Sequence, residues 1–223
     1  MKKAFCGSIF VAICCLLVTV IMLLTGTGVA TPDDKTEIHE MFVKAIDTAE
    51  EGESFVKIGS NPYNFCKNNP DFDKIVDMGY SILPQLKEIL EPGDKVGLDG
   101  YMVCIAIEEI VNVDLKTFEA FQWDSSRTFD KSFDKFLNRL PGMVNGILSS
   151  DKDNSIKAEE IKKLGVLAIP YALDSNKCNA EVIEVMGDIL GNTGAAQSKA
   201  EFVQKNKADI DMLKKFCDGV KRK

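Results

Sequence analysis

Residues 164–170 read Leu164-Gly165-Val166-Leu167-Ala168-Ile169-Pro170, and residues 78–84 repeat the pattern as Met78-Gly79-Tyr80-Ser81-Ile82-Leu83-Pro84. In both copies an apolar residue and a glycine are followed, three residues on, by two apolar residues and a proline. Glycine often ends a helix, and proline is tolerated in the first turn of one. Each copy therefore predicts a junction between two helices, and together they predict stacked helix-turn-helix units.

Apolar residues recur at helical spacing on both sides of these junctions, which predicts an all-α fold. The most apolar segment, residues 98–111, is the expected buried centre. Residues 129–140 form another apolar stripe, and Pro141-Gly142 is expected to end it, because proline removes a backbone donor inside a helix. Apolar and polar residues nowhere alternate convincingly with a period of two, so no sheet is predicted.

The pattern predicts one all-helical domain after the first thirty residues, spanning 31–223. Its predicted parts are a repeat unit at about 70–113, an aromatic insert at 114–150, a second unit at about 155–191 and a C-terminal capping helix at 198–221. Ser198, followed three residues later by Glu201, forms a capping box that opens the last helix. In the first unit, Ser81 is the expected cap of the helix that follows it.

The first thirty residues differ from the rest of the chain. Two lysines precede a run without charge, residues 4–24, which is long enough to cross a bilayer as a helix. Gly28 and Ala30 are the small residues that a signal-peptidase site requires. Two interpretations stay open: residues 1–30 are a cleaved signal peptide, or residues 4–24 remain as a membrane anchor. Both predict that the rest of the chain is extracytoplasmic, secreted or held at the membrane.

Composition narrows the classes of function. Hydrophobic residues make up 45% of the chain and charged residues 27%, which indicates a globular domain and not a disordered one. The net charge is −7, and the longest run of lysine and arginine is the three residues 221–223, so a nucleic-acid partner is not expected. Without its first thirty residues the chain is still more acidic, which argues against contact with an anionic membrane surface.

Candidate catalytic groups are few, and no catalytic residue or cofactor is predicted. His39 is the only histidine and is expected at a solvated surface position, so a Ser-His-Asp or zinc site is not supported. Glu108 and Glu109 lie in the most apolar helix, where burial would raise a carboxyl pKa and suit it to general-acid catalysis. Adjacent helical residues point about 100° apart. The competing interpretation is therefore that one glutamate is solvated while the other caps a helix end or pairs with Arg127.

Oxygen-bearing side chains at the start of the second repeat unit make a weak calcium candidate, which comprises Asp151, Asp153, Ser155 and Glu159. Their alternate spacing resembles that of a calcium loop. The sixth position of such a loop should be glycine and is Ile156, and the twelfth should be acidic and is Lys162. An ordinary helix start is the competing interpretation.

Four cysteines follow the first thirty residues, which we call the leader: Cys66, Cys104, Cys178 and Cys217. No Cys-x-x-Cys motif occurs among them, so neither a zinc site nor a thioredoxin-like site is predicted. Export would permit one disulfide. Cys104 lies in an apolar run and is expected to be a small core residue.

The glycine-to-proline segment at 164–170, with its copy at 78–84, resembles the HEAT-like repeats of α-solenoid proteins. More narrowly, the stretches Asn69-Pro70-x-Phe72-Asp-Lys-Ile75-Val76-x-Met78-Gly79 and Ala106-Ile107-Glu108-Glu109-Ile110 are similar to a group of uncharacterised exported or membrane-tethered bacterial proteins with HEAT-like repeats. The resemblance covers about 70–190 and implies a short α-α superhelix or a compact bundle. It implies no particular activity, because repeat folds host many unrelated functions.

The leading hypothesis is an exported, non-catalytic helical-repeat protein that binds a protein or peptide partner, or serves as a scaffold, at the cell envelope. One alternative is a cell-envelope hydrolase that uses Glu108 or Glu109 as its acid. Another is a structural module whose membrane tether matters more than its surface. A deep pocket with convergent acids would favour the enzyme, and a shallow face with exposed apolar residues would favour binding.

Overall fold

Helices packed around one central helix make up the part of the chain that the computed structural model describes, residues 35–51, 61–90, 97–192 and 198–220. These residues belong to one compact unit, Pro32–Lys223, and contain no strand, which confirms the all-α prediction. Their α-helices are α1 (Lys35–Glu51), α2 (Pro62–Cys66), α3 (Pro70–Asp77), α4 (Leu83–Ile89), α5 (Leu98–Val111), α6 (Ser126–Ser149), α7 (Asn154–Lys163), α8 (Ile169–Asp174), α9 (Ala180–Ile189), α10 (Lys199–Lys205) and α11 (Lys207–Val220).

Helix α5 is the centre of the core, as its sequence predicts. Residues 102–107 are all buried, and such a run covers every face of a helix. Helices α1, α2, α3, α4 and α6 pack against it. The second half of the chain extends from α6, with α7 and α8 on α6, α9 on α7, and α11 on both α6 and α8.

Both copies of the glycine-to-proline motif fold in the same way. Gly79 has φ +64° and Gly165 has φ +67°, a backbone conformation that L side chains rarely adopt. A 3-10 segment begins at Gly79 in one copy and directly after Gly165 in the other. A helix with proline in its first turn comes next, α4 in one copy and α8 in the other. The predicted glycine ends and proline starts are therefore confirmed at both junctions.

Helix α6 is longer than predicted. It continues through Pro141 to Ser149, so the expectation that Pro141-Gly142 ends this helix is wrong. Proline in a helix interior removes a backbone hydrogen bond and costs about 3 kcal/mol. The turns beyond it bury Val144 and Leu148. Each buried side chain of this size contributes about 1.5–3 kcal/mol, which offsets the loss.

Two predicted caps behave differently. The Ser81 hydroxyl donates to the carbonyl oxygen of Met78 (2.8 Å) and does not cap α4, so that prediction is wrong. The Ser198 hydroxyl accepts from the Glu201 N–H (3.2 Å), as predicted, but the C-terminal helix breaks at Asn206 into α10 and α11. The buried side chain of Asn206 donates to the Phe202 carbonyl oxygen (2.9 Å) and so competes with helical pairing there.

Residues 1–30, predicted as a signal peptide or membrane anchor, lie outside the described residues. Among the helices of the described ranges, none combines the length and the hydropathy that crossing a bilayer requires.

Candidate functional site

The two adjacent glutamates of α5 have different surroundings. Glu109 is exposed, whereas Glu108 is half-buried beside the turn that follows the helix. Oε1 of Glu108 accepts hydrogen bonds from the backbone N–H of Leu115 (2.9 Å) and from the Nε1–H of Trp123 (3.0 Å). The N-cap of the 3-10 segment Leu115–Thr117 is Asp114, and Glu108 accepts from the first N–H of the segment, so it helps to cap it. This agrees with the interpretation that one glutamate is solvated and the other caps a helix end.

The surroundings of Glu108 suit a structural role. Burial raises the pKa of its carboxyl group, and the hydrogen bonds from Leu115 and Trp123 oppose that rise. A raised pKa is a property that a general acid needs. Both donors belong to the protein itself, however, and the oxygen that accepts from them holds the aromatic insert against α5.

Replacement of Glu108 separates the role of its oxygen from that of its charge. Glu108→Gln is expected to retain stability at pH 7, because an amide oxygen still accepts and burial penalises only the charged form. Glu108→Ala is expected to lower the free energy of unfolding by about 2–3 kcal/mol, since it removes the acceptor of two part-buried donors. Denaturant unfolding at pH 7 measures both, and equal stability of the two variants would contradict the capping role.

The pH dependence of stability follows from the direction of the Glu108 pKa shift. Because the folded protein binds this proton more tightly than the unfolded chain, ionised Glu108 costs stability at neutral pH. The wild type should therefore gain stability relative to Glu108→Gln as the pH falls from 7 towards 4.5, the ordinary value for glutamate. The same denaturant series, repeated down to pH 4.5, measures this difference.

The sequence predicts that His39 is a solvated surface residue, but its side chain also contacts Asp99. It is half-exposed, and its Nε2 lies 2.8 Å from Oδ2 of Asp99. The contact joins α1 to the first turn of α5. No local sequence pattern could reveal it, because the two residues are far apart in the chain.

The weak calcium candidate lies at the start of α7. Asp153 occupies the cap position without a side-chain hydrogen bond, and Asp151, Ser155 and Glu159 are exposed. Within the described ranges, no group of three or more His, Cys, Asp or Glu side chains is arranged to hold a metal ion. The predicted helix start is confirmed, while calcium binding there stays a prediction.

No disulfide bond forms among Cys66, Cys104, Cys178 and Cys217 in this structure. Cys104 is buried and donates to the carbonyl oxygen of Gly100 (3.1 Å), so it is the core residue that the sequence predicts. Burial raises the pKa of Cys66, Cys104 and Cys178, which disfavours the reactive thiolate.

A groove of about 720 Å³ opens between α4, α6 and α11, and we call it the α4–α6–α11 groove. Apolar atoms of Pro84, Met212, Phe216 and Val220 contribute to its walls. The Met212 side chain is among the exposed large hydrophobic residues of the described chain. The volume lies in the range of sites that hold small molecules or several side chains of a peptide.

The polar part of the groove is a lysine held between two acids. Lys87, whose side chain is only 14% exposed, donates from Nζ to Asp130 and to Asp134 (2.7 Å). The two aspartates are one helical turn apart on α6, so they face the same side. The Lys87 ammonium also lies 5.7 Å from the ring centroid of Phe133.

The charges around the groove favour a cationic ligand group. Three acids and two lysines line it in the described part of the chain, namely Glu88, Asp130, Asp134, Lys87 and Lys215. We call Lys87, Asp130 and Asp134 the lysine cluster, and Asp134 is its most accessible member, with 43% of its side chain exposed. The groove can therefore bind apolar side chains along its walls and one positive charge beside Asp134.

Sequence reasoning did not identify this groove. The Asp130 and Asp134 pair, spaced for one face of α6, was an available signal, but their partner Lys87 lies more than forty residues earlier. Met212 and Gly219 come from the last helix, which meets α4 only in the folded chain.

Comparison with protein-family models, with curated proteins and with solved structures found no match to this chain. The class of protein is therefore defined by the structure alone: an all-α domain with a mainly apolar groove and an excess of acidic groups beside it.

Proposed function

We propose that this protein is an exported, non-catalytic helical-repeat protein of the HEAT-like type, and that it binds a peptide segment of a protein partner in the α4–α6–α11 groove. The observation that carries the proposal is the groove itself, with its apolar walls, its exposed Met212 and its acid-rich lysine cluster. Exposed apolar surface in a concave site is typical of binding surfaces.

The local geometry of the two glycine-to-proline junctions supports the HEAT-like part of the proposal. Each junction leads through a 3-10 segment into a short helix that begins with proline, and an apolar helix follows, α5 in one copy and α9 in the other. Stacked helix pairs of this kind bury a shared core and leave surface grooves between helices.

The proposal of export rests on the amino-acid sequence of the leader. Two lysines, an uncharged apolar run at 4–24 and small residues at 26–30 are the features of a signal peptide or an anchor. In either case we propose that the helical domain functions outside the cytoplasm, and that an uncleaved leader would hold it at the membrane.

The ligand that best fits the groove is a peptide that carries apolar side chains on both sides of a lysine or arginine. Leucine-like side chains match the apolar walls, and a cation beside Asp134 compensates the excess negative charge. An acidic peptide of the same shape would place like charges together, which is unfavourable.

The alternative functions have less support. The hydrolase depends on a glutamate of α5, but Glu108 is bonded to Leu115 and Trp123 and Glu109 is exposed. The structural module does not require a groove, whereas the described residues form one of ligand size.

Filling the groove tests the binding proposal. Gly219 lies on α11 at the groove, and no atom lies within 4 Å of a Cβ built on it. Gly219→Leu is therefore expected to occupy the groove without disturbing the backbone, and to stabilise α11 by roughly 0.5–1 kcal/mol because glycine is unfavourable in a helix. Calorimetric titration with acetyl-Ala-Leu-Lys-Leu-Ala-amide should show binding to the wild type that is at least about tenfold weaker in the variant.

Gly142→Leu is the matched control. Gly142 is an exposed helical glycine of α6, also with no atom within 4 Å of an added Cβ, and it does not line the groove. This variant should bind the peptide like the wild type, and the same peptide with glutamate in place of lysine should bind more weakly to both. Equal affinities of the Gly219→Leu and Gly142→Leu proteins would contradict the proposed site.

A further inference from the structure

Three aromatic side chains surround the ammonium group of Lys116. Its Nζ lies 3.8 Å from the ring centroid of Trp123, 5.0 Å from that of Tyr63 and 5.4 Å from that of Tyr101. The same atom donates hydrogen bonds to the hydroxyls of Tyr63 (2.8 Å) and Tyr101 (3.0 Å). We call Tyr63, Tyr101 and Trp123 the aromatic box.

The walls of the aromatic box are held by the fold. Tyr101 and Trp123 have ring centroids 4.7 Å apart, and Tyr63 meets Tyr101 edge-on at 6.1 Å. Trp123 is only 5% exposed, and Glu108 accepts from its indole N–H. The box draws its walls from α2, from α5 and from the aromatic insert, and none of its residues lines the α4–α6–α11 groove.

An aromatic box of this kind recognises positive charge. Ring faces attract cations, and the attraction strengthens when the cation is shielded from water. Burial acts to lower the pKa of Lys116, but the hydrogen bonds and the charge interactions with the two tyrosines together outweigh this effect and raise the pKa, so a charged ammonium occupies the box. Glu108 adds a carboxylate beside Trp123.

We propose that the aromatic box is a second ligand site, specific for the quaternary ammonium group of a small molecule, and that Lys116 is a tethered occupant that leaves when the ligand enters. Lys116 extends from the three-residue segment Leu115–Thr117 on a long side chain, so its ammonium can move into water without a change of fold. A quaternary ammonium cannot donate hydrogen bonds and interacts with the rings alone.

A neighbouring cavity provides room for the rest of such a ligand. Tyr101 also lines a cavity of about 290 Å³, together with Gly97, Asp124 and Arg127. This volume suits a small molecule and not a membrane surface.

Fluorescence of Trp123 tests the proposal, because it is the only tryptophan in the sequence and forms one wall of the box. Lys116→Met removes the occupying cation and keeps a chain of similar length. Titration with choline should change the fluorescence of this variant saturably, with an affinity at least about tenfold higher than that of the wild type. The neutral isostere 3,3-dimethylbutanol should cause no saturable change.

Lys135→Met is the matched control. The Nζ of Lys135 lies 5.9 Å from the ring centroid of Phe121, an aromatic residue that is not part of the box. It should respond to choline like the wild type, and adding Tyr101→Leu to Lys116→Met should abolish the response. No saturable response of Lys116→Met to choline, or an equal response to the isostere, would overturn the proposal. A response to phosphatidylcholine vesicles without one to free choline would overturn its small-molecule form.

The wild-type protein provides a second measurement that does not depend on the folding of a variant. Choline at high concentration should shift the NMR resonance of the Trp123 indole N–H, and the isostere should not. Equal shifts from both compounds would contradict recognition of the charge.

Discussion

Replacement of Gly165 by alanine is expected to lower the free energy of unfolding by about 3–5 kcal/mol. Gly165 has φ +67°, and a Cβ built on it would lie 2.2 Å from the carbonyl oxygen of Val111 and 2.4 Å from Cγ2 of Val113. The nearest of these atoms belongs to the backbone at the end of α5 and cannot rotate away. The junction between α7 and α8 would therefore have to move off the central helix.

Gly79→Ala is the matched control for this prediction. Gly79 has a similar backbone conformation, φ +64°, but no atom lies within 4 Å of a Cβ built on it. Its replacement should cost only the strain of the left-handed conformation, about 1–2 kcal/mol. Urea unfolding of the two variants measures the difference, and a loss at Gly165 no larger than that at Gly79 would contradict the close approach to α5.

Asn69→Ala is expected to lower the free energy of unfolding by about 3–4 kcal/mol. The buried amide Nδ2 of Asn69 donates to the carbonyl oxygens of Ala45 (2.7 Å) and Phe65 (2.9 Å). Its Oδ1 accepts from the N–H groups of Asp71 (3.1 Å) and Phe72 (3.2 Å). One side chain thus connects α1 and α2 to the start of α3, and its loss leaves buried polar groups without partners.

Asn61→Ala provides the comparison. Asn61 also caps a helix, but it is exposed and accepts a hydrogen bond from the Tyr63 N–H (3.2 Å). Its replacement should cost about 0.5–1 kcal/mol, the usual range for a solvent-exposed cap. Thermal and urea unfolding of both variants measure the two costs. Losses of equal size would show that Asn69 acts as an ordinary cap and does not connect three helices.

Local sequence signals predicted the features of this fold that depend on local physics. Gly165 and Pro170 identify a helix junction because left-handed backbone and a missing N–H restrict which residues can stand there. The apolar run of α5 identifies the central helix because a helix without a polar face must be buried. In contrast, the end assigned to α6 at Pro141 was wrong, since burial beyond the proline outweighs its local cost.

Features that depend on distant contacts were not predictable in the same way. Asp99 lies sixty residues after its partner His39, and Lys87 lies more than forty residues before Asp134. Glu108 could be assigned a cap in general terms, but its partner Trp123 comes from the aromatic insert. The groove and the aromatic box are both of this kind, since each is assembled from helices that meet only in the folded chain.

Binding of a partner in the α4–α6–α11 groove can be measured by crosslinking in cells that produce the full chain, with a photoreactive amino acid in place of the exposed Met212. We expect one dominant crosslinked product whose captured segment carries apolar side chains and a cation. Gly219→Leu should remove this product, and Gly142→Leu should retain it. A product that persists unchanged in the Gly219→Leu protein, or no product in the wild type, would contradict binding in the groove.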